Sequence, residues 1–137
     1  MKVFVYLNFP GNCEEAMTFY HKVLGGELGT MMRFKGSPAE EHVSDPAWLD
    51  KVMHTELTLG VYKIMASDTP PQMFKKPEGY HINVGPKDAE EGKRLFDALA
   101  EGGTVTMPFE PSFWAKGFGM LTDRFGINWM VNCEKAK

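Results

Sequence analysis

The chain has 137 residues, 43% hydrophobic and 24% charged, the balance of one globular domain large enough to bury a core. Its 15 basic against 18 acidic residues leave a net charge of -3 without any basic block, so a nucleic-acid partner is not expected. The longest apolar run is too short to span a bilayer and the Met-Lys-Val start lacks the build of a signal peptide, so we expect no membrane partner and a cytoplasmic location.

Residues 2–9 (KVFVYLNF) are β-branched and aromatic, which predicts a strand ended by Pro10-Gly11. Asn12 with Glu15 reads as a capping box, and apolar positions 16, 19, 20, 23 and 24 predict a helix with one buried stripe. Cys13 falls in its first turn, where the helix dipole can lower a thiol pKa, but neither it nor Cys133 has CxxC or zinc-ligand spacing. Two reduced thiols are the expectation. Gly25-Gly26 stops the helix and 27–34 (ELGTMMRF) reads as a strand.

Residues 35–51 carry Gly, two prolines and acids without a period, predicting a long loop or short helical turn of the kind that covers a site. Strands 52–59 (VMHTELTL) and 61–67 (VYKIMAS) follow, joined tightly at Gly60. Residues 69–78 form the expected linker. The pattern then restarts with a strand at 79–85 (GYHINVG), a helix capped by Asp88 with Glu91, and a stop at Gly102-Gly103. Strands near 104–109, 117–122 and 127–133 complete it, with Asp123 to Gly126 as the last turn.

This is one unit written twice. Asn12, Glu15, Ala16, Phe19, Tyr20, Val23 and Leu24 recur in kind as Asp88, Glu91, Gly92, Leu95, Phe96, Leu99 and Ala100. The expected modules are 1–68 and 79–137, each strand, helix, strand, strand, strand. Neither closes its sheet alone, so the two are expected to pair side by side.

Alternation marks the polar positions. On 52–59, His54, Glu56 and Thr58 face away from Leu57 and Leu59, and on 79–85, His81 and Asn83 face away from Ile82 and Val84. His21, on a helix, and His42, in the long loop, are read as solvated. Phe109, Phe113, Trp114 and Phe118 form a dense aromatic group that suits core packing, a dimer interface or the wall of an apolar pocket. Met31, Met32, Met53, Met65, Met107, Met120 and Met130 would add a soft, adaptable lining to such a pocket.

The segments YLNFPGNCEEAMTFY, MHTELTLG, EGGTVTMPFEPSFWAKGFGMLTDRFG and WMVNC resemble the PhnB-like, or demethylubiquinone methyltransferase-like, group of the vicinal oxygen chelate superfamily, over nearly the whole chain. The resemblance implies an α+β fold of two tandem βαβββ modules forming curved, barrel-like mixed sheets with helices outside. It also implies a homodimer that binds a small molecule in its concave sheet faces, often on a divalent metal. The implied metal positions, one on the first and one on the third strand of each module, are Val5, Glu56, His81 and Met130, with Val5 matching His81 and Glu56 matching Met130. Only two of these can ligate. If the modules pair as the resemblance implies, Glu56 and His81 approach each other with His54 as a third group. Two imidazoles and one carboxylate suit iron, manganese or zinc.

Without metal, Glu56 would act as a general base with a pKa raised by burial and His81 as its acid partner. The plainer alternative is a hydrogen-bonded His54–Glu56 pair. His54, Asn83, Trp114, Phe118 and Met130 are the expected ligand-contacting residues. Two activities remain open: a metal-assisted lyase, isomerase or dioxygenase, and a non-enzymatic ligand-sequestering dimer of the bleomycin-resistance kind. Methyl transfer from S-adenosylmethionine is not expected, because no Gly-rich loop follows the first strand.

Overall fold

The N-terminal β-branched run forms β1 (Val5–Phe9), with Leu7 and Phe9 buried and Tyr6 and Asn8 on the other side. In the computed structural model, which describes residues 1–135, the chain divides into two units, Met1–Lys75 and a second that begins at Lys76. In the first, α1 (Cys13–Leu24) buries Cys13, Ala16, Met17, Tyr20 and Val23 along one stripe. The expected strand 27–34 is split into β2 (Glu27–Leu28) and β3 (Met32–Arg33), both paired antiparallel to β4 (Val52–Leu59). A register irregularity between Met32 and Arg33 interrupts the ladder, while Gly29 N–H still donates to the Glu56 carbonyl at 2.8 Å. The loop between β3 and β4 holds two short 3-10 turns, Pro38–His42 and Pro46–Trp48, each started by proline and capped by Ser37 or Asp45. β5 (Tyr62–Asp68) runs antiparallel to β4 and parallel to β1, giving the order β1-β5-β4-β2.

The second unit repeats this plan. β6 (Ile82–Val84), α2 (Ala89–Ala100), β7 (Thr104–Glu110), β8 (Ala115–Thr122) and β9 (Asn128–Glu134) give the order β6-β9-β8-β7, again with the first strand parallel to the last. The expected α+β architecture of two βαβββ modules is therefore present. Among the described residues each sheet is an open path of strands and does not close on itself as a barrel. The two units meet the same constraint after their helices. A Cβ at Gly26 would strike the Thr58 carbonyl, and one at Gly103 the Thr122 carbonyl, so only glycine lets the chain turn back onto the sheet there.

The helices start differently. At α2 the expected cap forms, with Glu91 N–H donating to Asp88 Oδ1 at 2.8 Å and Lys87 N–H donating to Glu91 Oε1 at 3.2 Å. At α1 it does not, since Asn12 makes no side-chain cap bond. Its place is taken by a residue far away in sequence. The buried carboxylate of Asp68, at the end of β5, accepts from Cys13 N–H (2.9 Å) and Gly11 N–H (3.1 Å) on one oxygen and from Val52 N–H (2.9 Å) on the other. An anion at a helix N-terminus also gains from the dipole.

In the second unit the buried Asp123 plays a local version of this part. It accepts from Phe125 N–H, Ile127 N–H and the Trp129 indole N–H at 2.8–3.0 Å, shaping the β8–β9 turn around the fully buried Trp129. Asp68→Asn swaps one carboxylate oxygen for an amide that cannot accept, leaving one of the three amides unpaired. Urea denaturation should show a loss of about 2–3 kcal/mol, the worth of a buried hydrogen bond to a charged group. A loss below about 0.5 kcal/mol would mean that the amides find other partners.

Candidate functional site

Strand alternation in the first unit puts Leu57, Ile64, Ala66 and Thr55 against the helix and leaves His54, Glu56, Thr58, Lys63, Met65, Tyr6 and Asn8 on the opposite face. Four of these side chains form a chain across three strands. Tyr6 Oη lies 3.2 Å from His54 Nδ1, His54 Nε2 lies 3.2 Å from Glu56 Oε1, and Lys63 Nζ donates to Glu56 Oε2 at 3.0 Å. The register explains the meeting: Tyr6 and Glu56 both pair with Met65, Thr58 pairs with Lys63, and diagonal neighbours on one face are within reach of long side chains. His54 and Glu56 were legible from alternation. Tyr6 and Lys63 were missed, although Tyr6 between Val5 and Leu7, and Lys63 before Ile64, carry the same signal.

The electrostatics differ from expectation. The hydrogen bond from the Lys63 ammonium, and then that from His54, hold the Glu56 carboxyl below the ordinary glutamate range. Glu56 is only partly buried and ion-paired, so these bonds outweigh the upward push of burial and the net shift runs opposite to the sequence reading. The same network bears on metal binding. Both Glu56 oxygens and both His54 nitrogens already face protein partners, one of them a cation, and among the described residues no three His, Cys, Asp or Glu side chains group to hold a metal ion. The donors of this face do not fit a resident metal.

The second unit presents a different surface. His81, just before β6, and Asn83 within it are exposed. Asn83 pairs with Met130 on β9, Met130 with Met120 on β8, and Met120 with Met107 on β7, so an amide and three thioethers line up across four strands. The aromatic group divides. Phe109 packs with Phe96 of α2, ring centroids 5.7 Å apart, over the bare backbones of Gly92, Gly117 and Gly119. Phe113, Trp114 and Phe118 instead stack edge to face, with centroids 4.8 and 5.2 Å apart, and Phe113 and Trp114 stay exposed.

The internal symmetry expected for Val5, Glu56, His81 and Met130 is not the one the registers give. Gly26 against Thr58 and Gly103 against Thr122 align β4 with β8, so Glu56 corresponds to Met120, while Met130 corresponds to Met65. Likewise Val5 pairs with Ile64 and faces the helix as Ile82 does, whereas His81 has the opposite parity. Cys13 recurs as Ala89, 76 positions on, but Val5 recurs as Ile82, 77 positions on. One residue lost between strand and helix in the second unit flips every side chain to the other face.

Cys13 is fully buried, and burial, aided by the negative charge of Asp68, pushes its thiol up to about 12. That overrides any lowering by the helix dipole. Both cysteines are free and buried.

Over residues 1–132 the sequence matches the family described as 3-demethylubiquinone-9 3-methyltransferase. It is 36% identical to protein YjdN of Escherichia coli K12 over 139 aligned residues, covering 96% of this chain and 95% of that one. Among solved structures, protein PA1353 from Pseudomonas aeruginosa is 46% identical with a TM-score of 0.89, covering 99% of each chain. A putative 3-demethylubiquinone-9 3-methyltransferase, PhnB protein, from Bacillus cereus is 27% identical with a TM-score of 0.81, covering 97% of this chain and 99% of that one.

Two outcomes are expected. A carboxyl whose pKa is lowered by folding stabilises the fold above its unfolded value and loses that contribution as the pH falls through the lowered one. Urea titrations from neutral pH into the acid range should therefore show wild type losing stability more steeply than Glu56→Gln, and parallel profiles would remove the role given to the Lys63 and His54 bonds. Native protein should also leave a thiol reagent such as dithionitrobenzoate unconsumed until denaturant exposes both cysteines.

Proposed function

Because the chain belongs to the 3-demethylubiquinone-9 3-methyltransferase family, a PhnB-like group of the vicinal oxygen chelate superfamily, we propose that it binds a small organic molecule on the sheet faces turned away from its helices and acts on it by proton transfer, as a homodimer. The observation that carries this reading is the Tyr6–His54–Glu56–Lys63 chain, which stands half-exposed on a sheet face instead of being buried as a structural network. Glu56, acting through the His54 imidazole it holds, and His81, on the second unit's own face, are the groups proposed to support proton transfer. His54, Asn83, Trp114, Phe118 and Met130 are the proposed ligand contacts, because small-molecule sites combine apolar walls with a few polar anchors.

Two chemistries attached to the family fit these residues poorly. Metal-assisted lyase, isomerase or dioxygenase reactions need donors that the first unit has already committed to one another. Methyl transfer would call for a cofactor cradle at the first strand–helix turn. There the Gly11 and Cys13 amides that would meet an anionic cofactor group donate to Asp68 instead. The sequestering alternative draws on the Met107, Met120 and Met130 row beside Phe118 and Trp114, an adaptable surface suited to holding a ligand without altering it.

The test is native mass spectrometry of protein isolated from its own host without an affinity metal. One organic molecule per chain is expected. On incubation in heavy water that molecule should gain carbon-bound deuterium with wild type and not with Glu56→Gln. An unlabelled molecule retained by both proteins would replace catalysis with sequestration. A chain carrying a stoichiometric metal ion and no organic molecule would overturn the reading.

A further inference from the structure

A carboxylate can only accept hydrogen bonds, so Glu56 Oε1 fixes the proton of neutral His54 on Nε2. The Nδ1 lone pair is then aimed at the Tyr6 hydroxyl, 3.2 Å away. Lys63 donates to the other carboxylate oxygen at 3.0 Å, which favours the Glu56 rotamer that faces the imidazole. A hydroxyl, a base within hydrogen-bond reach of it, and a third group orienting the base make up the geometry by which proteins activate a side-chain hydroxyl. Every member lies on β1, β4 or β5, rigid neighbours in one sheet, and the phenol end is the accessible one, with Tyr6 43% exposed.

We propose that Tyr6 is the group of this face that meets the substrate, a small carbon or oxygen acid, with His54 as its base and Glu56 and Lys63 as positioning residues. The proton count closes. As the substrate's acidic bond breaks, its proton passes to Tyr6 Oη while the Tyr6 proton passes to His54 Nδ1. The bonding pair stays on the substrate, and the new imidazolium lies against the Glu56 carboxylate. The reverse transfer restores the resting site. This assignment rests on the small-molecule reading above, but it makes a claim about Tyr6 that no ligand is needed to check.

The probe is an arylsulfonyl fluoride at limiting concentration, with labelling at each tyrosine followed by peptide mass spectrometry. The phenol oxygen forms a bond to sulfur, the sulfur–fluorine bond breaks, fluoride leaves, and the phenol proton goes to the base and then to solvent. Tyr62 and Tyr80 are internal standards, because both are more exposed than Tyr6, at 70% and 47%. Tyr6 should be labelled at least about tenfold faster than either, a threshold set below the roughly 10²–10⁴-fold that a positioned general base contributes. His54→Gln should abolish that advantage, and Glu56→Gln should reduce it, with the Tyr62 and Tyr80 rates unchanged. Labelling of Tyr6 no faster than Tyr62 and Tyr80, or an advantage that survives His54→Gln, overturns the proposal. The fully buried Tyr20 reports on folding, and if His54→Gln exposes it to label, the ranking within the wild-type protein decides alone. Fast Tyr6 labelling in a protein that carries no small molecule would separate this proposal from failure of the binding reading.

Discussion

One buried carboxylate organises the first unit. Asp68 shares the helix-facing parity of Ile64 and Ala66, so the strand itself delivers it to the base of α1. There it gathers the Gly11, Cys13 and Val52 amides. Burying a charge is tolerated only when hydrogen bonds replace its water, and three backbone donors supply that replacement. Through them the helix start and the first residue of β4 are tied to the end of β5. From His54 onward the alternation of β4, paired with that of β5, places His54, Glu56 and Lys63 on the far side of the sheet.

The two units share topology and the glycine turn after the helix, yet their open faces have diverged in kind. Where the first carries Tyr6, Met65 and Glu56 in one row, the second carries Asn83, Met130 and Met120 at the corresponding places. A hydrogen-bonded charged chain stands opposite a row of thioethers and an amide. Such duplication keeps the scaffold, whose constraints lie on the helix-facing side, while the outward-facing positions are free to take different chemistry.

Much of this could be read from the residues. Period-two alternation located β4 and put His54 and Glu56 on one face, and the 3.6-residue stripe located both helices with their ends. The cap of α1 was misread because Asn12 and Glu15 satisfy the local pattern, while the group that takes the amide comes from Asp68, more than fifty residues later. The matching of Val5 with His81 failed for a similar reason. It extended the helix spacing into the strands, and a single residue missing from a loop, which leaves no periodic trace, reversed the faces.

The sequence by itself determined the duplicated βαβββ plan, the helix-facing core and the polar character of the β4 outer face. These depend on periodicity and short-range turn chemistry, which are written along the chain. Only the tertiary structure decided which strands lie side by side, and therefore that Tyr6 from β1 and Lys63 from β5 complete the His54–Glu56 pair. It also decided that the shift at Glu56 runs downward, because the sign of a pKa shift depends on which charge stands nearest in space. Adjacency across a sheet is set by register, and register depends on where each connecting loop ends.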